Sequence, residues 1–424
     1  MKILVEHGGY PLNNLGDLAM LQVAIDRIRK KWDNASISVF TTAPEKLERY
    51  CYGTTFISPE GKKIWGSPLI GLSHKILSDS NFQNKWIQIE WWLRTNAPLT
   101  TYSYLNNKLE RNYPELSKNL ETVMEAVINA DLVIATGGGY ITDAFRNHAL
   151  SVMRLLELAN KLKKTTAMFG QGIAPLHDKE LINQARRTLP KLDFISLREQ
   201  KTSLPLLEEL GVHPSRILVT GDDAIELSYD QRSNTLGNCI GINLRWANYS
   251  GMSDSYIEDI RQVIQEFASS RDISLTPIPI SLKSDTDELS DIAASAKIIG
   301  DYRLAIEPVE SLDTPLGTIE QVKKCRLVIT GSYHAGVFAL SQGIPVIGLA
   351  ASEYYASKFL GLGEQFEGGC RTILLNEHDF HQSLSRAIRE IWDSAERIRP
   401  LLLEAAIKQV QLGHLAYQKV LDLV

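Results

Sequence analysis

The sequence predicts an α/β protein built from two doubly wound domains that face each other across a cleft. Short apolar runs of strand length recur along the chain, and segments with apolar residues at helical spacing separate them. A polar segment without periodicity divides this series into two halves. Such alternation is typical of parallel sheets covered by helices. Ligands of these sheets bind at the carboxyl ends of the strands, where we therefore look for functional residues.

The length and composition exclude several classes of protein. A chain of 424 residues predicts two or more domains, and 44% hydrophobic and 22% charged residues are typical of globular proteins. A net charge of −5 without a basic block argues against nucleic-acid binding. The four cysteines have no metal-binding spacing, so we expect no metal and reduced thiols, as in a cytoplasmic protein. No signal-peptide core is present, and no window reaches the roughly 18 apolar residues of a transmembrane segment.

The first half begins with a strand at 2–6, a turn-rich loop at 7–17 and an amphipathic helix at 18–29. Asn14 or Asp17 is expected to cap this helix. Residues from about 53 to 115 interrupt the alternation and are rich in tryptophan and tyrosine. They predict a partly helical insertion, whose aromatic side chains form a satellite core or stack on sugars.

The remaining elements complete two series, which we expect to form two Rossmann-like domains. The first series continues with strands predicted at 37–40, 131–135, 166–169, 194–197 and 217–220. The second has strands predicted at 239–244, 273–278, 303–306, 326–329 and 345–349. The predicted boundaries are 1–227 for the N-terminal domain, 228–238 for the linker, 239–380 for the C-terminal domain and 381–424 for a final helical segment.

The segment from Thr330 to Val337 lies between a predicted strand and a predicted helix, and it contains His334. A helix N-terminus at this edge of a sheet favours anions, through unpaired N–H groups and a partial positive charge. Histidine is the side chain whose charge ordinarily changes near neutral pH. The segment therefore indicates an anion site with an acid–base group, and the alternative is a capping segment with a structural histidine.

Other candidate residues follow other strands. Gly137, Gly138 and Gly139 permit a ligand to approach the backbone closely, although they do not match GxGxxG. The adjacent acids Asp222 and Asp223 fit a helix cap or an interdomain contact better than a cation site.

Three cationic side chains are candidates for the same edge of the sheet. Arg198 and Arg245 each end a predicted strand, where a guanidinium group can grip a phosphate or a carboxylate. Arg198 has Glu199 beside it and can instead pair locally, and Arg245 can instead form a surface salt bridge. Lys358 opens a later helix and either reaches the edge that carries His334 or lies in solvent.

An ordered set of short motifs resembles the polysaccharide pyruvyl transferase family. The resemblance covers residues 3 to about 365, and its motifs are Asn14-Leu15-Gly16-Asp17, Gly137-Gly138-Gly139, Gly170-Gln171-Gly172-Ile173-Ala174-Pro175-Leu176, Ser196-Leu197-Arg198-Glu199, Gly241-Ile242-Asn243-Leu244-Arg245 and His334-Ala335 through Gly343-Ile344-Pro345-Val346. The family implies a fold similar to the two-domain GT-B glycosyltransferases.

The resemblance also implies an activity. Members move a pyruvyl unit from phosphoenolpyruvate onto two hydroxyls of one sugar as a cyclic ketal, in the assembly of cell-surface polysaccharides such as exopolysaccharide. The expected substrates are phosphoenolpyruvate and a sugar acceptor, and the acceptor is either a free or a lipid-linked sugar. No cofactor is expected. The location implied is the cytoplasm, with peripheral attachment to the inner face of the membrane as an option.

The resemblance and the strand-end positions together assign roles. The catalytic pair is His334 and Arg245. Donor-binding residues are expected to be Ser332, Tyr333, Ala335, Lys358 and Arg198. Acceptor-binding residues are expected to be Asn14, Asp17, Gly137, Gly138 and Gly139.

The chain departs from the family pattern at Ser332, where members usually carry an arginine that helps to hold the donor. If phosphoenolpyruvate is the donor, Arg245 and Lys358 must supply the missing charge. One alternative is a glycosyltransferase that uses a nucleotide sugar, with Glu353 on the ribose. The other is a degenerate member that binds glycan without catalysis.

Overall fold

The computed structural model describes residues 1–67, 80–173, 176–245, 254–283, 289–302 and 311–424. The strand predicted at 303–306 lies outside these residues, as do Ala174 and Pro175 of the motif at 170–176. The described strands form two separate sheets, and neighbouring strands within each sheet are parallel.

The first sheet has eight strands, and its order is β3-β2-β1-β4-β6-β7-β8, with β5 paired to β6. Its strands are β1 (Lys2–Glu6), β2 (Ser36–Phe40), β3 (Thr55–Ile57), β4 (Leu132–Ala135), β5 (Gly138–Ile141), β6 (Thr165–Ile173), β7 (Phe194–Leu197) and β8 (Ile217–Val219). The strand order reverses between β1 and β4, which is the switch point where α/β sheets bind ligands.

The second sheet has five strands in the order β10-β9-β11-β12-β13. They are β9 (Cys239–Asn243), β10 (Ser274–Pro277), β11 (Cys325–Thr330), β12 (Val346–Ala350) and β13 (Cys370–Leu374). Here the order reverses between β9 and β11. All residues of β9 and β12 are buried, as expected for strands that helices cover on both faces.

Sixteen α-helices are present in the described part of the chain. They are α1 (Leu15–Lys31), α2 (Pro44–Tyr50), α3 (Glu60–Trp65), α4 (Ser80–Asn96), α5 (Pro98–Asn112), α6 (Pro114–Asn129), α7 (Arg146–Lys161), α8 (Lys179–Thr188), α9 (Ser203–Glu209), α10 (Ala224–Asp230), α11 (Asp254–Ser270), α12 (Asp291–Ile299), α13 (Pro315–Val322), α14 (Tyr333–Ser341), α15 (Glu353–Gln365) and α16 (Phe380–Leu421). Proline begins α2, α5, α6 and α13, where its fixed φ suits the first helical position.

Three details differ from the sequence predictions. Thr55–Ile57, predicted inside the insertion, is an edge strand of the first sheet, too short for its alternation to be recognised. Gly138 and Gly139, predicted as a loop, begin the short strand β5, because β6 is long enough to pair with it. Ser228, predicted to begin the linker, lies in α10, where its buried hydroxyl donates to the carbonyl of Phe338 over 2.8 Å.

The C-terminal helix α16 crosses back to the first sheet. Its Tyr417 ring stacks on Phe169 with 3.8 Å between the centroids. The Tyr417 hydroxyl donates to Asp223 over 2.9 Å, and Arg27 of α1 pairs with the same carboxylate at 2.6 Å. One hydrophobic cluster also joins Met20 of α1 to α14 and α16. The two halves are therefore joined by a shared hydrophobic cluster and by the contacts of Tyr417 with Phe169 and Asp223.

The predicted fold class is confirmed: the chain is an α/β protein with two parallel, doubly wound sheets, in a GT-B-like arrangement. None of the described helices is long and apolar enough to cross a membrane.

Candidate functional site

The switch points of the two sheets open onto one cavity of about 330 Å³. That volume is at the lower end of the range for small-molecule sites, roughly 300–1,000 Å³. The loop after β1 and the start of α1 contribute one wall, and the loops after β9 and β11 contribute the opposite wall. The side chains that carry charge or a titratable group in this lining are Asp17, Arg198, Arg245, Lys283, Tyr140, Tyr333, His334, Tyr355 and Lys358.

Backbone hydrogen bonds connect the two walls at one end of the cavity. Asn14 and Ser281 form an isolated antiparallel bridge. Leu15 N–H donates to the carbonyl of Ile280 over 2.8 Å, and Leu282 N–H donates to the carbonyl of Asn13 over 2.9 Å. The entry to α1 is thus joined to the segment that follows β10.

His334 lies in the first turn of α14 and is only 7% exposed. Its Nε2 atom is 3.6 Å from Oδ2 of Asp222, and it has no hydrogen-bond partner among the described residues. The opposite wall fits tightly against the ring, because a methyl group at Gly16 would overlap Cγ and Nδ1 of His334. His334 is therefore fixed in place, with one ring nitrogen available for chemistry.

Asp222 is the nearest carboxylate to His334. The N–H of Ala224 donates to its Oδ1 over 3.0 Å, whereas its Oδ2 faces His334 and Arg198, each at 3.6 Å. Burial alone would raise the pKa of Asp222, but His334 and Arg198 outweigh burial and hold the pKa below its ordinary value. Asp222 is therefore an anion that lies close to the histidine ring.

Arg198 lies in the cavity wall and is 4% exposed. Its guanidinium carbon is 4.1 Å from the centroid of the Tyr333 ring. Glycines make room for it, since a Cβ at Gly139 or Gly172 would press on the guanidinium group. The local pairing with Glu199 does not form, because Glu199 accepts from the backbone N–H groups of Thr202 and Ser203 instead.

Lys358 reaches the same place from α15. A Cβ at Gly139 would lie 3.3 Å from its Nζ, beside the guanidinium group of Arg198. Burial lowers the pKa of Lys358 well below its ordinary value, and Arg198 lowers it further, while Asp17 opposes both. An amine and a guanidinium group side by side in the cavity wall offer hydrogen-bond donors that suit a phosphate or a carboxylate.

Arg245 follows β9 and is 9% exposed. Its Nη1 is 3.4 Å from Oδ1 of Asp291, a fully buried carboxylate at the start of α12. The other carboxylate oxygen accepts from Ser281 N–H at 2.8 Å and from the Asn243 amide at 2.8 Å. Burial raises the pKa of Asp291, and Arg245 opposes that effect. Arg245 is thus positioned by a carboxylate that also shapes the cavity wall.

The N-terminus of α14 is open on its cap side. Ser332 occupies the N-cap position, is 7% exposed, and makes no capping hydrogen bond with its side chain. Its hydroxyl lines the cavity together with Tyr333. Ala335, predicted to bind the donor, has its side chain fully buried in a hydrophobic cluster and does not line the cavity.

The residues predicted for the acceptor side are only partly brought together. Asn14, Asp17 and Gly139 line the cavity, whereas Gly137 and Gly138 do not. Asn14 caps α1, because its Oδ1 accepts from the N–H groups of Gly16 and Asp17 over 3.0 and 3.1 Å. Burial raises the pKa of Asp17, Asp222 adds to this effect, and His334 opposes it.

Several site residues were missed by sequence reasoning. Nothing in the sequence marked Asp291 as a site residue, because it follows neither an apolar run typical of a strand nor a glycine-rich turn. Gly16 belongs to the motif at 14–17, and Asp222 was interpreted as a cap or an interdomain contact, but only their proximity to His334 gives them a role in the site. Lys283 lines the cavity from the segment after β10, and no motif marks it.

Three solved structures show what this fold is similar to. UDP-GlcNAc 2-epimerase of Neisseria meningitidis, bound to UDP-GlcNAc, has a TM-score of 0.56 at 14% identity, covering 100% of both chains. UDP-GlcNAc 2-epimerase of Methanocaldococcus jannaschii has a TM-score of 0.53 at 14% identity, covering 93% of both chains. A glycosyltransferase of Rickettsia africae has a TM-score of 0.52 at 12% identity, covering 99% of this chain and 98% of its own. At such identities the likeness concerns the fold alone.

No curated protein sequence is similar enough to this chain to be matched. The sequence profile described as polysaccharide pyruvyl transferase matches residues 14–353. This range runs from the cap of α1 to the start of α15, so it contains Asp17, Arg198, Arg245 and His334 of the cavity, whereas Lys358 lies just beyond it. The chain therefore belongs to the polysaccharide pyruvyl transferase family.

Proposed function

We propose that this protein transfers a pyruvyl group from phosphoenolpyruvate to two hydroxyls of a sugar, forming a cyclic ketal for cell-surface polysaccharide. The observation that carries the proposal is the convergence of His334 with Arg198, Arg245 and Lys358 in one cavity. Phosphoenolpyruvate has two anionic groups and an enol carbon that must be protonated. Cationic side chains and an acid–base histidine are the groups that this reaction needs.

Three cationic side chains can supply the positive charge that family members usually carry as an arginine at the position of Ser332. Arg198 and Lys358 lie side by side over Gly139, and Arg245 approaches from the loop after β9. We assign the phosphate to Arg198, Lys358 and the N-terminus of α14, and the carboxylate to Arg245. Burial lowers the pKa of Lys358 and Arg198 lowers it further, so an anion bound beside both side chains favours the ammonium form.

His334 is the group assigned to proton transfer. Its protonated ring gives a proton to C3 of phosphoenolpyruvate, and C2 becomes an oxocarbenium-like centre. A sugar hydroxyl attacks C2, the C2–O bond to phosphate breaks, and a second hydroxyl closes the ketal. The two hydroxyls lose two protons, of which one balances the proton on C3 and the other leaves with phosphate. Asp222 stabilises the charged ring at 3.6 Å before the transfer.

The acceptor sugar is assigned to the opposite wall. Asp17 lines the cavity near the Gly8–Gly9 backbone, and a carboxylate there can accept hydrogen bonds from sugar hydroxyls. Because Asp17 and Asp222 both lie near His334, one of them can take up the proton that an attacking hydroxyl loses. We place the protein in the cytoplasm, where phosphoenolpyruvate is available, and take a sugar or a lipid-linked sugar as the acceptor.

The test is phosphate release that depends on phosphoenolpyruvate, in the presence of a pool of nucleotide-linked and lipid-linked sugars. The proposal predicts release with the wild type and almost none with Arg198→Gln. Arg216→Gln, which removes an arginine that caps carbonyls of Pro190 and Leu192 away from the cavity, is the matched control.

Thermal shift separates this function from the alternatives. Phosphoenolpyruvate should raise the unfolding temperature by itself, in the absence of any nucleotide sugar. A shift with nucleotide sugars alone would indicate a glycosyltransferase. A shift with glycans, without phosphate release for any acceptor, would indicate a glycan-binding protein without catalysis.

A further inference from the structure

The helix α4 turns a charged pair towards the interior and large apolar side chains towards solvent, the reverse of an ordinary surface helix. Glu90 and Arg94 are buried, and the Arg94 guanidinium group donates to the Glu90 carboxylate over 3.2 Å. On the other side of the helix, Ile89, Trp92 and Leu93 are exposed, and Trp92 reaches 63% exposure. Exposed apolar patches of this kind mark surfaces that bind a protein or a membrane.

The inner side of α4 is fixed by Arg94, so its apolar face stays outward. Arg94 donates to the carbonyls of Trp65 and Ser67, and its guanidinium carbon is 5.1 Å from the centroid of the Trp65 ring. The helix also packs on α5 and α7. Turning the helix over would separate Arg94 from Glu90 and leave a buried charge without its partner, which is strongly destabilising.

The uncharged surface continues from α4 into α5, because Ala97 alone joins the two helices. Leu99, in the first turn of α5, is exposed close to the last turn of α4. We call Ile89, Trp92, Leu93 and Leu99 the junction patch. Between residues 86 and 107, the sequence has only two charged residues, and they are the buried pair of α4. The exposed residues of this stretch are therefore all uncharged: Gln88, Ile89, Trp92, Leu93, Asn96, Leu99, Thr100, Ser103, Tyr104 and Asn107.

Cationic residues lie at both ends of this uncharged stretch. Lys85 is exposed one turn before Ile89, and Lys108 and Arg111 lie near the end of α5. Glu110 is the one exposed carboxylate from Lys85 to Arg111, although the whole chain has a net charge of −5. Helices that lie in a bilayer interface carry tryptophan and leucine on one face and cationic side chains beside it. Anionic headgroups attract such cations.

A lipid surface fits this patch better than a second copy of the chain does. In a two-fold dimer the same patch lies on both sides of the contact, so cations of one copy face cations of the other. Anionic headgroups neutralise these cations instead, and tryptophan is a side chain that favours the boundary between headgroups and acyl chains. None of the described helices can cross a membrane, so the contact is a surface contact.

We propose that the junction patch docks the protein on an anionic lipid surface, with Trp92 and Leu93 inserted at the boundary between headgroups and acyl chains. The helix α4 packs on α7, which starts directly after Phe145 of the cavity lining. The patch thus belongs to the domain that carries the wall assigned to the acceptor, which suits a lipid-linked sugar. The docking itself does not depend on the donor or on the reaction.

The test is co-sedimentation of the full chain with vesicles of phosphatidylglycerol and phosphatidylcholine in equal parts, and with vesicles of phosphatidylcholine alone. The wild type should bind the anionic vesicles more tightly than the neutral ones, and less tightly at high salt. The double variant Trp92→Gln/Leu93→Gln should bind about tenfold more weakly or less, because it loses the apolar part of the contact. Leu401→Gln/Leu415→Gln, which changes two exposed leucines of α16, is the matched control and should bind as the wild type does.

Lys85→Gln is a second variant, which alters only the charge beside the patch and so guards against misfolding of the double variant. It should weaken binding to the anionic vesicles about fivefold. No binding of the wild type to anionic vesicles, or equal binding of the wild type and the double variant, would overturn the proposal. A wild type that dimerises instead of binding vesicles, with a monomeric double variant, would show an interface between copies and also overturn it.

The outcome is independent of the test of pyruvyl transfer. Phosphoenolpyruvate should raise the unfolding temperature of the wild type and the double variant equally, since the junction patch does not line the cavity that contains His334. Vesicle binding that depends on Trp92, without phosphate release for any acceptor, would remove pyruvyl transfer and leave the docking surface standing. Phosphate release without vesicle binding would remove the docking surface and leave pyruvyl transfer standing.

Discussion

Two helix N-termini face each other across the cleft, and their caps differ. The N-terminus of α1 is closed by its own chain, through the Asn14 side chain and the carbonyl of Ile280. The N-terminus of α14 has Ser332 at the cap without a capping bond. Both helices follow a central strand of their sheet, so position in the fold does not distinguish them.

The difference decides which helix can hold an anion. A helix N-terminus attracts negative charge through N–H groups that lack partners, and a side-chain cap removes that attraction. Arg245 and Lys358 belong to the second sheet and its helices, and Arg198 reaches Tyr333 of α14 from the end of β7 in the first sheet. We therefore assign the donor to α14 and treat the entry to α1 as a rigid wall that fixes His334.

The largest effect should come from the histidine of α14. His334→Gln keeps the size of the side chain but cannot deliver a proton, so kcat should fall by about 10²–10⁴-fold. Phosphate release measured at saturating phosphoenolpyruvate checks this, and the urea midpoint should stay near that of the wild type. A variant that turned over at the wild-type rate would remove His334 from the chemistry.

The next effect should come from the wall that α1 provides. A methyl group at Gly16 overlaps the His334 ring, so Gly16→Ala displaces the ring from its place beside Asp222. A displacement of about 1 Å can reduce kcat by about 10²-fold. Gly361→Ala in α15 is the control, because a Cβ there meets only Glu199 at ordinary distance. Equal kcat values for the two variants would show that α1 does not position the histidine.

A smaller effect should follow from closing the N-terminus of α14. Ser332→Asp places a carboxylate at the cap, which can accept from the first N–H groups of α14 and repels the donor. The KM for phosphoenolpyruvate should rise about tenfold, since a charge at a helix end is worth about 1–2 kcal/mol in a partly buried site. Ser332→Ala should change KM little. A fall in KM with Ser332→Asp would place the donor elsewhere.

The smallest expected effect concerns stability, and it involves His7 in the loop that leads into α1. It is fully buried, its ring bonds the carbonyl of Phe40 at 2.7 Å, and the N–H of Gly9 donates to it at 3.3 Å. Burial lowers the pKa of His7 from 6.5 to about 4, with Glu6 opposing.

His7 binds a proton at a higher pH in the unfolded chain than in the folded chain. The contribution of neutral, buried His7 to the free energy of unfolding is therefore fully present above about pH 6.5 and is lost as the pH falls towards 4. Between pH 7 and pH 5, this lowers the free energy of unfolding by about 2 kcal/mol. Urea unfolding of wild type and His7→Gln should show that the variant loses less stability over this interval. Equal losses would show that His7 is charged in the folded protein.

The fold could be predicted from the sequence because buried parallel strands appear as continuous apolar runs, which end in small or polar residues. The edge strand Thr55–Ile57 could not be predicted, because two of its three residues are exposed and a pattern of three residues is too short to identify a strand. His334, Arg245 and Lys358 were found from their positions after strands. For Arg198, the sequence suggested a local ion pair with the neighbouring Glu199. In the folded chain, Glu199 instead accepts a hydrogen bond from the backbone, and Arg198 packs on the Tyr333 ring.

Contacts between distant segments could not be predicted in the same way. Gly16 and His334 are far apart in the chain, and only the packing of α1 against α14 makes a glycine necessary. Asp291 acts through Arg245 and two backbone N–H groups, none of which is marked by a motif.

The most direct test of the central claim is the fate of the donor's pyruvyl group in heavy water. The protein is incubated with phosphoenolpyruvate and the acceptor pool in D₂O, and the glycans are analysed by mass spectrometry. We expect an acceptor whose mass rises by pyruvate minus one water, with one deuterium in the ketal methyl group and equimolar phosphate, and we expect His334→Gln to form this product at least about 10²-fold more slowly. Product formation by His334→Gln at the wild-type rate, or no modified glycan and no phosphate with the wild type, would contradict it.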